Sequence, residues 1–263
     1  MGPINMTKVF DAYAEYYDLL YSDKDYAGEA NYIHGLIQKF APKSKSILEL
    51  GSGTGRHAAL LSEKGYTVHG VERSKTMLAQ AEILSKKDSR LSFSEGDLRE
   101  ARIGKKFDVV MSLFHVISYQ TSNQDLKAAF ATVEEHLKPG GLVIFDCWYG
   151  PAVLTERPAV RVKRVANDVI EVTRLVEPVL HPNENTVDVN YHVFIRNKGT
   201  CQVQEVRETH NMRYLFVPEI EILLDQAGCK VIAAQEWMSG KKPGCDTWGV
   251  CFLGRSVREY SRT

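Results

Sequence analysis

Apolar positions recur with two different periods along this chain, and the points where the period changes divide it. From Ala27 to Phe40, the residues Ile33, Leu36, Ile37 and Phe40 share one face at helical spacing, which predicts an amphipathic helix. Upstream, Tyr13, Tyr16 and Tyr17 show the same spacing beside Phe10, Tyr21 and Tyr26, so a short aromatic helix is expected there. After Pro42 the pattern shortens. Ser46 to Leu50 reads as a buried strand, followed at once by the run Gly51-Ser52-Gly53-Thr54-Gly55. A helix from His57 to Lys64, stopped by Gly65, leads to a strand from Thr67 to Val71. Ser74 is a natural N-cap for a helix reaching Lys87. Strands at Leu91 to Glu95 and Phe107 to Leu113 follow. A helix from Gln124 to Leu137 ends at Lys138-Pro139-Gly140-Gly141, ahead of a strand from Leu142 to Asp146. Strands alternating with helices at this spacing imply βαβ units and a parallel sheet.

Between residues 159 and 215 the helical period disappears. Val160 to Val165, Val169 to Val176, Thr186 to Ile195 and Gln202 to Leu215 read as extended, with turn signals at His181-Pro182-Asn183 and Asn197-Lys198-Gly199. An antiparallel β insertion is expected. The alternation then resumes with a helix from Val217 to Ala227, capped by Gly228, and strands at Lys230 to Glu236 and Thr247 to Gly254 that should close the main sheet. The expected architecture is α/β and Rossmann-like. It has an aromatic cap segment over 1–44, a core over 45–155, the β insertion over 156–215 and a C-terminal return over 216–263.

Composition narrows the partners more than the fold. A chain of 263 residues with 44% hydrophobic and 25% charged residues suits a soluble protein with a sizeable core. Lys plus Arg equals Asp plus Glu at 33 each, so the basic excess of a polyanion binder is missing. Nucleic acid and anionic membrane are not expected partners. Arg157, Arg161, Lys163 and Arg164 read as a solvated strand face. Five cysteines without C-x-x-C spacing argue against a disulfide framework or a zinc site and for the cytoplasm. No apolar run is long enough to span a bilayer, and the N-terminus lacks a signal-peptide pattern. The insertion's edge strands would suit pairing in a homodimer.

The chemistry concentrates at predicted strand ends. A glycine run after a buried strand lets backbone approach a ligand, and the next helix offers its first N–H groups. A dinucleotide site calls for G-x-G-x-x-G, but Arg56 occupies the third glycine's place. The chain instead reads Glu49-x-Gly51-x-Gly53-x-Gly55, and an acid beside the glycines suits a cationic ligand. Glu72, ending the second strand, is placed to accept hydrogen bonds from a ribose diol. Gly96-Asp97-Leu98, after the third, can pair with an adenine amine and ring nitrogen. His115, after the fourth strand, suits either a proton acceptor or a hydrogen-bonding wall residue. Asp146 would orient a substrate amine or cap its loop, while Trp148 and Tyr149 could stack on a flat or sugar-like substrate. Tyr17 and Tyr21 could fold over the ligand. Cys147 reads as packing, and His57 as a surface residue.

Over residues 45 to 145 this arrangement resembles class I S-adenosylmethionine-dependent methyltransferases. Tyr17-Asp18-Leu19-Leu20-Tyr21 and Lys24-Asp25-Tyr26 extend the likeness to the N-terminal segment of nucleotide-amino-sugar N-methyltransferases of the desosamine and mycaminose type, as do the glycine run, Phe107 to Tyr119 and the insertion. The resemblance implies S-adenosylmethionine as cofactor and no metal. It implies cofactor contacts from Tyr17, Tyr26, Glu49, Gly51, Ser52, Gly53, Glu72, Arg73, Met77, Gly96, Asp97, Leu98 and Leu113. Catalytic candidates are His115, Tyr17, Tyr119 and Asp146, and substrate-binding candidates are Tyr21, Trp148 and Tyr149. The implied acceptor is a small molecule, with N-methylation of a nucleotide-linked amino sugar ahead of O-methylation. A nicotinamide-dependent oxidoreductase and an idle nucleoside-binding module are the rivals from other classes. The chain departs from the family pattern at three places. Tyr119 replaces a His, Asp146-Cys147-Trp148 replaces Glu-Pro-Trp, and Cys245-Asp246-Thr247-Trp248 stands where a shorter loop carries an Arg.

Overall fold

The structure is a computed structural model that describes residues 19–258. Tyr17 and the aromatic helix expected around it lie outside the described residues.

Five parallel strands form the core: β1 (Ser46–Leu50), β2 (Thr67–Glu72), β3 (Leu91–Glu95), β4 (Phe107–Ser112) and β5 (Leu137–Tyr149), in the order β3-β2-β1-β4-β5. The last two strands, β10 (Cys229–Glu236) and β11 (Gly249–Ser256), close this sheet as expected. β11 runs antiparallel to both β5 and β10. The helices are α1 (Tyr26–Phe40), α2 (Arg56–Glu63), α3 (Lys75–Ser85), α4 (Asn123–His136), α5 (Gly150–Glu156) and α6 (Val217–Gln226). Ser74 caps α3 by accepting from the Met77 N–H, as its place in the sequence predicts.

Alternation along the strands divides the core into two layers. Leu48 and Leu50 of β1 face a layer with Phe130, Phe145, Leu224 and Phe252, under α4 and α6. Ile47 faces the opposite layer with Ile33, Ile37, Leu61 and Ile144, under α1 and α2. Each fully buried Leu, Ile or Phe contributes roughly 1.5–3 kcal/mol. Glu49 is two residues from Ile47 and therefore turns to the α2 side. The strand order reverses between β1 and its two neighbours, which opens the crevice where such sheets bind ligands.

One local expectation is corrected, and two short elements are added. The stretch Lys138-Pro139-Gly140-Gly141 belongs to β5, with a register shift between Phe107 opposite Leu137 and Val109 opposite Leu142. Gly140 takes φ 70° there, so the glycine makes an irregularity inside the strand rather than a loop. The seven-residue α5, with Pro151 in its first turn, is too short for its periodicity to show in sequence. A 3-10 turn, Val116–Tyr119, follows β4.

The insertion is an antiparallel meander of β6 (Arg161–Ala166), β7 (Ile170–His181), β8 (Thr186–Asn197) and β9 (Val203–Leu215). It joins the main sheet by two parallel pairs, Trp148 with Tyr214 and Tyr149 with Leu215. Val153, Val187, Val189, Met212 and Tyr214 form its own small core. The segment before α1 packs on it: Leu20 is buried beside Val172, Val193 and Met77. Lys163 Nζ donates to Leu20 O at 2.6 Å and pairs with Asp23 at 2.9 Å. Lys163 therefore ties two segments together, while Arg161 and Arg164 are exposed.

Candidate active site

A cleft of about 390 Å³ runs from the glycine loop to the insertion. Gly51, Gly53 and Gly55 have φ of 77°, 56° and 77°, a region that side chains with a Cβ rarely adopt. Their surroundings differ. A Cβ on Gly51 would stand 2.7 Å from Val116, and one on Gly55 would stand 2.8 Å from Phe93 and 3.1 Å from Ala81. A Cβ on Gly53 would meet no heavy atom within 4 Å. Gly55 thus serves close helix–strand packing, while Gly53 presents open backbone to the cleft. Arg56 lines the cleft, its guanidinium 5.0 Å from the Tyr26 ring centroid, and does not interrupt the packing.

Behind the loop, Glu49 is 1% exposed, and its Oε2 has no hydrogen-bond partner among the described residues. Burial, with repulsion from Glu72, pushes this carboxyl up to about 8. His57 corrects its surface reading. It is buried, with Nε2 2.7 Å from Glu29 Oε2 and Nδ1 3.8 Å from Glu49 Oε1. It falls on α2 where the helix meets β1, and helical period alone did not show which face α1 would cover.

Glu72 is buried at the end of β2. Its Oε2 accepts from the Gly53 N–H and its Oε1 from the Ser74 N–H, both at 2.7 Å. Burial raises its carboxyl from the ordinary value, and these backbone hydrogen bonds partly oppose that. Asp97 is held below the carboxylate range. Burial would raise it, but Arg99 donates from N, Nε and Nη2 at 2.9, 2.9 and 2.6 Å, and Arg73 stands 3.5 Å away. Arg99 also reaches Asp125 at 2.6 Å, tying the β3 end to α4.

The other wall begins at Phe114 and His115, consecutive residues at φ 63° and 61°. Left-handed backbone at such residues costs on the order of 1–3 kcal/mol each and clusters at functional sites. Asp146 overdetermines this turn: it accepts from the His115 N–H at 3.1 Å and stands 2.7 Å from His115 Nδ1. Asp146 is itself 1% exposed. Phe114 meets Tyr21 edge-on at 5.2 Å. Arg174 Nη1 donates to the Tyr21 hydroxyl at 3.3 Å, so the segment before α1 covers the cleft under control of β7. Tyr119, Trp148, Val189, Tyr191 and Met212 line the far end.

The structure therefore gathers Tyr21, Tyr26, Gly51, Ser52, Gly53, Glu72, Arg73, Met77, Gly96, Asp97, Leu98, Leu113, His115, Tyr119 and Trp148 around one cleft. Glu49 and Asp146 stand just behind its walls. Tyr149 does not line it: strand alternation sends Trp148 toward the cleft and Tyr149 against the core layer under α6. Thr54, Arg99, Gln120, Val189, Tyr191 and Met212 were not among the sequence candidates. The period-two pattern of β8 and β9 was the available signal for the last three.

These residues fit S-adenosylmethionine. The Gly53 backbone is open, an unpartnered carboxylate oxygen lies behind the loop, and acids at 49, 72 and 97 complement a cationic nucleoside. Sheet order and site together define a class I methyltransferase. A family signature described as a methyltransferase domain matches residues 47–141. The chain belongs to the S-adenosylmethionine-dependent methyltransferases, in the branch that includes amino-sugar N-methyltransferases. It is 31% identical to a Streptomyces venezuelae protein named dTDP-3-amino-3,4,6-trideoxy-alpha-D-glucopyranose N,N-dimethyltransferase, over 88% of this chain and 94% of that one. The crystal structure of Streptomyces venezuelae DesVI superposes with TM-score 0.74 at 28% identity, covering 96% of this chain and 99% of DesVI. A methyltransferase structure from Clostridium acetobutylicum gives TM-score 0.80 at 22% identity, covering 95% and 99%. The cofactor is S-adenosylmethionine, and the nicotinamide alternative is set aside. No helix among the described residues is long and apolar enough to cross a membrane.

Proposed function

We propose that this enzyme N-methylates the amino group of a nucleotide-linked sugar. The observation that carries this reading is the relationship to the Streptomyces venezuelae dimethyltransferase, which spans the insertion as well as the cofactor half. The cleft supports it, because its far end is walled by Tyr119, Trp148 and Tyr191, aromatic faces suited to a sugar ring.

S-adenosylmethionine supplies a methyl group already activated on a sulfonium, so the protein's task is alignment and exclusion of water. Glu49, Glu72 and Asp97 would hold the cofactor's cationic end, ribose and base. The Tyr21–Phe114 contact closes the cleft from above. His115, fixed by Asp146, and Tyr119 face the acceptor end. An amine nucleophile needs a free lone pair, which requires only a path for its proton. Cys147, Cys229 and Cys251 are buried free thiols, in keeping with a reducing cytoplasm.

The test pairs calorimetry with transfer of a labelled methyl group. Wild type is expected to bind S-adenosylmethionine, and Glu72→Ala to bind at least about tenfold more weakly, roughly 1.4 kcal/mol. Label is expected in dTDP-3-amino-3,4,6-trideoxyglucose and not in its 3-hydroxy analogue. Labelling of the hydroxyl analogue alone would replace this reading with O-methylation.

A further inference from the structure

The inward face of β9 should be apolar, because it packs against β8, α5 and the cleft. Met212 and Tyr214 obey that rule, but Glu208 and His210 share the same face and are 7% and 3% exposed. Burying an acid and an imidazole costs free energy unless they are paired, so their partners are informative. His210 Nε2 lies 3.3 Å from Glu208 Oε2, and His210 Nδ1 lies 2.7 Å from the Tyr119 hydroxyl. Tyr119 in turn lines the cleft. The three side chains form a line from the acceptor end of the cleft into the insertion.

We infer that Tyr119, His210 and Glu208 are a proton relay that takes the proton an amine acceptor must lose. This inference rests on the amine reading above. An aliphatic amine with a pKa of about 8 or higher enters largely as ammonium at neutral pH. Its N–H bond breaks and the electron pair stays on nitrogen, which becomes the nucleophile. The proton joins the Tyr119 oxygen while the Tyr119 hydroxyl proton passes to His210 Nδ1. His210 becomes an imidazolium whose Nε2–H faces the Glu208 carboxylate, and the proton leaves to solvent after product release. Tyr119 passes the proton on and does not keep a charge. Burial, then the nearby Tyr191, Tyr21 and Glu208, hold its phenol well above the ordinary value.

The geometry assigns the roles. Tyr119 is the residue that touches the acceptor, while His210 and Glu208 act through it. Among the described residues, the other titratable and charged groups near His210 are Tyr191 of β8, whose ring centroid is 4.8 Å away, and Arg174 of β7, which stacks on Tyr191 at 4.9 Å. Tyr21, before α1, also acts on Tyr119.

The experiment measures kcat against pH for wild type, His210→Asn and Glu208→Gln, using dTDP-3-amino-3,4,6-trideoxyglucose as acceptor. Calorimetry with S-adenosylmethionine verifies that each variant is folded. At pH 7 His210→Asn is expected to be slower by at least about tenfold, because about a tenth or less of an amine with a pKa of about 8 or higher is unprotonated there. By pH 9.5 the amine arrives largely unprotonated, and the variant should come within about threefold of wild type. Glu208→Gln should show a smaller loss with the same recovery. A loss that does not depend on pH would mark a merely structural role and overturn the relay. So would an unchanged rate in His210→Asn, which would leave the proton to His115. Imidazole nitrogen NMR provides an arm that needs no acceptor. His210 is expected as the neutral Nε2–H tautomer, with its Nδ1 signal moved by Tyr119→Phe. The opposite tautomer, or no movement, would overturn the relay. A wild type that methylates no amino sugar would sink the functional reading and the relay with it, whereas failure of the NMR arm in an active wild type would sink the relay alone.

Discussion

At the scale of single residues, Glu49 carries the sharpest prediction. Its carboxyl stands at about 8 because burial and then Glu72 disfavour its charge. The folded protein therefore keeps a proton that the unfolded chain releases near its ordinary value of about 4.3. By linkage, the stability this gives is fully present below the unfolded value and is lost as pH rises through about 8. Glu49→Gln cannot ionise, so it should leave the ligand-free melting temperature nearly unchanged at pH 4. At pH 8.5 it should raise it by on the order of 5 °C, equivalent to about 2 kcal/mol in a chain of this size. Binding runs the other way. A cationic ligand favours the carboxylate, so wild-type affinity for S-adenosylmethionine should increase with pH toward a plateau above about 8. Glu49→Gln should bind at least about tenfold more weakly, with a flat profile. Thermal melts and calorimetry at pH 6, 7 and 8.5 check both halves. A rising affinity profile in Glu49→Gln would place the titrating group elsewhere.

At the scale of elements, the glycine loop separates fold from function. Gly55→Ala would force a Cβ to 2.8 Å from Phe93 and 3.1 Å from Ala81 on top of a left-handed φ. It should cost roughly 2–4 kcal/mol, combining backbone strain with overpacking. Gly53→Ala meets nothing within 4 Å, so it should cost only the φ penalty of roughly 1 kcal/mol. Its methyl group would enter the cleft, and S-adenosylmethionine affinity should fall by at least about tenfold. Urea denaturation and calorimetry on the two variants check that order: Gly55→Ala worse in stability, Gly53→Ala worse in binding. The loop also shows what was legible beforehand. Glu49, the glycines, Glu72 and Asp97 all lie at or just beyond the C-terminal end of a strand, so local sequence placed them at one edge of the sheet. His57 and Tyr149 were misplaced because a helix or strand pattern does not say which neighbour covers which face. The partnership of Tyr119 with His210 joins positions 91 residues apart and depends on where β9 docks beside β5, which no short-range signal carries.

At the scale of the whole molecule, the two halves of the cleft have separate supports. The cofactor half rests on the layered core around β1 and β4, whereas the acceptor half rests on the insertion. Among the described residues, the insertion's strands hydrogen-bond to the main sheet at two residue pairs, Trp148 with Tyr214 and Tyr149 with Leu215. Its stability must therefore come largely from its own core, in which Tyr214 is 0% exposed and packs with Val153, Val187, Val189 and Met212. Tyr214→Ala removes an aromatic ring from that core and should cost roughly 3–5 kcal/mol. The loss should fall on the insertion first, since the two layers around the parallel sheet lack this residue. Amide exchange should thus accelerate across β7 to β9 and stay slow in β1, β4 and β5. S-adenosylmethionine affinity should change by less than about threefold, while methyl transfer to the amino-sugar probe falls by at least about a hundredfold, because Tyr119 and Tyr191 lose their settings. Equal acceleration of exchange in both halves would mean that the sheet junction couples them into one cooperative unit. The cofactor site would then depend on the insertion as much as the acceptor site does.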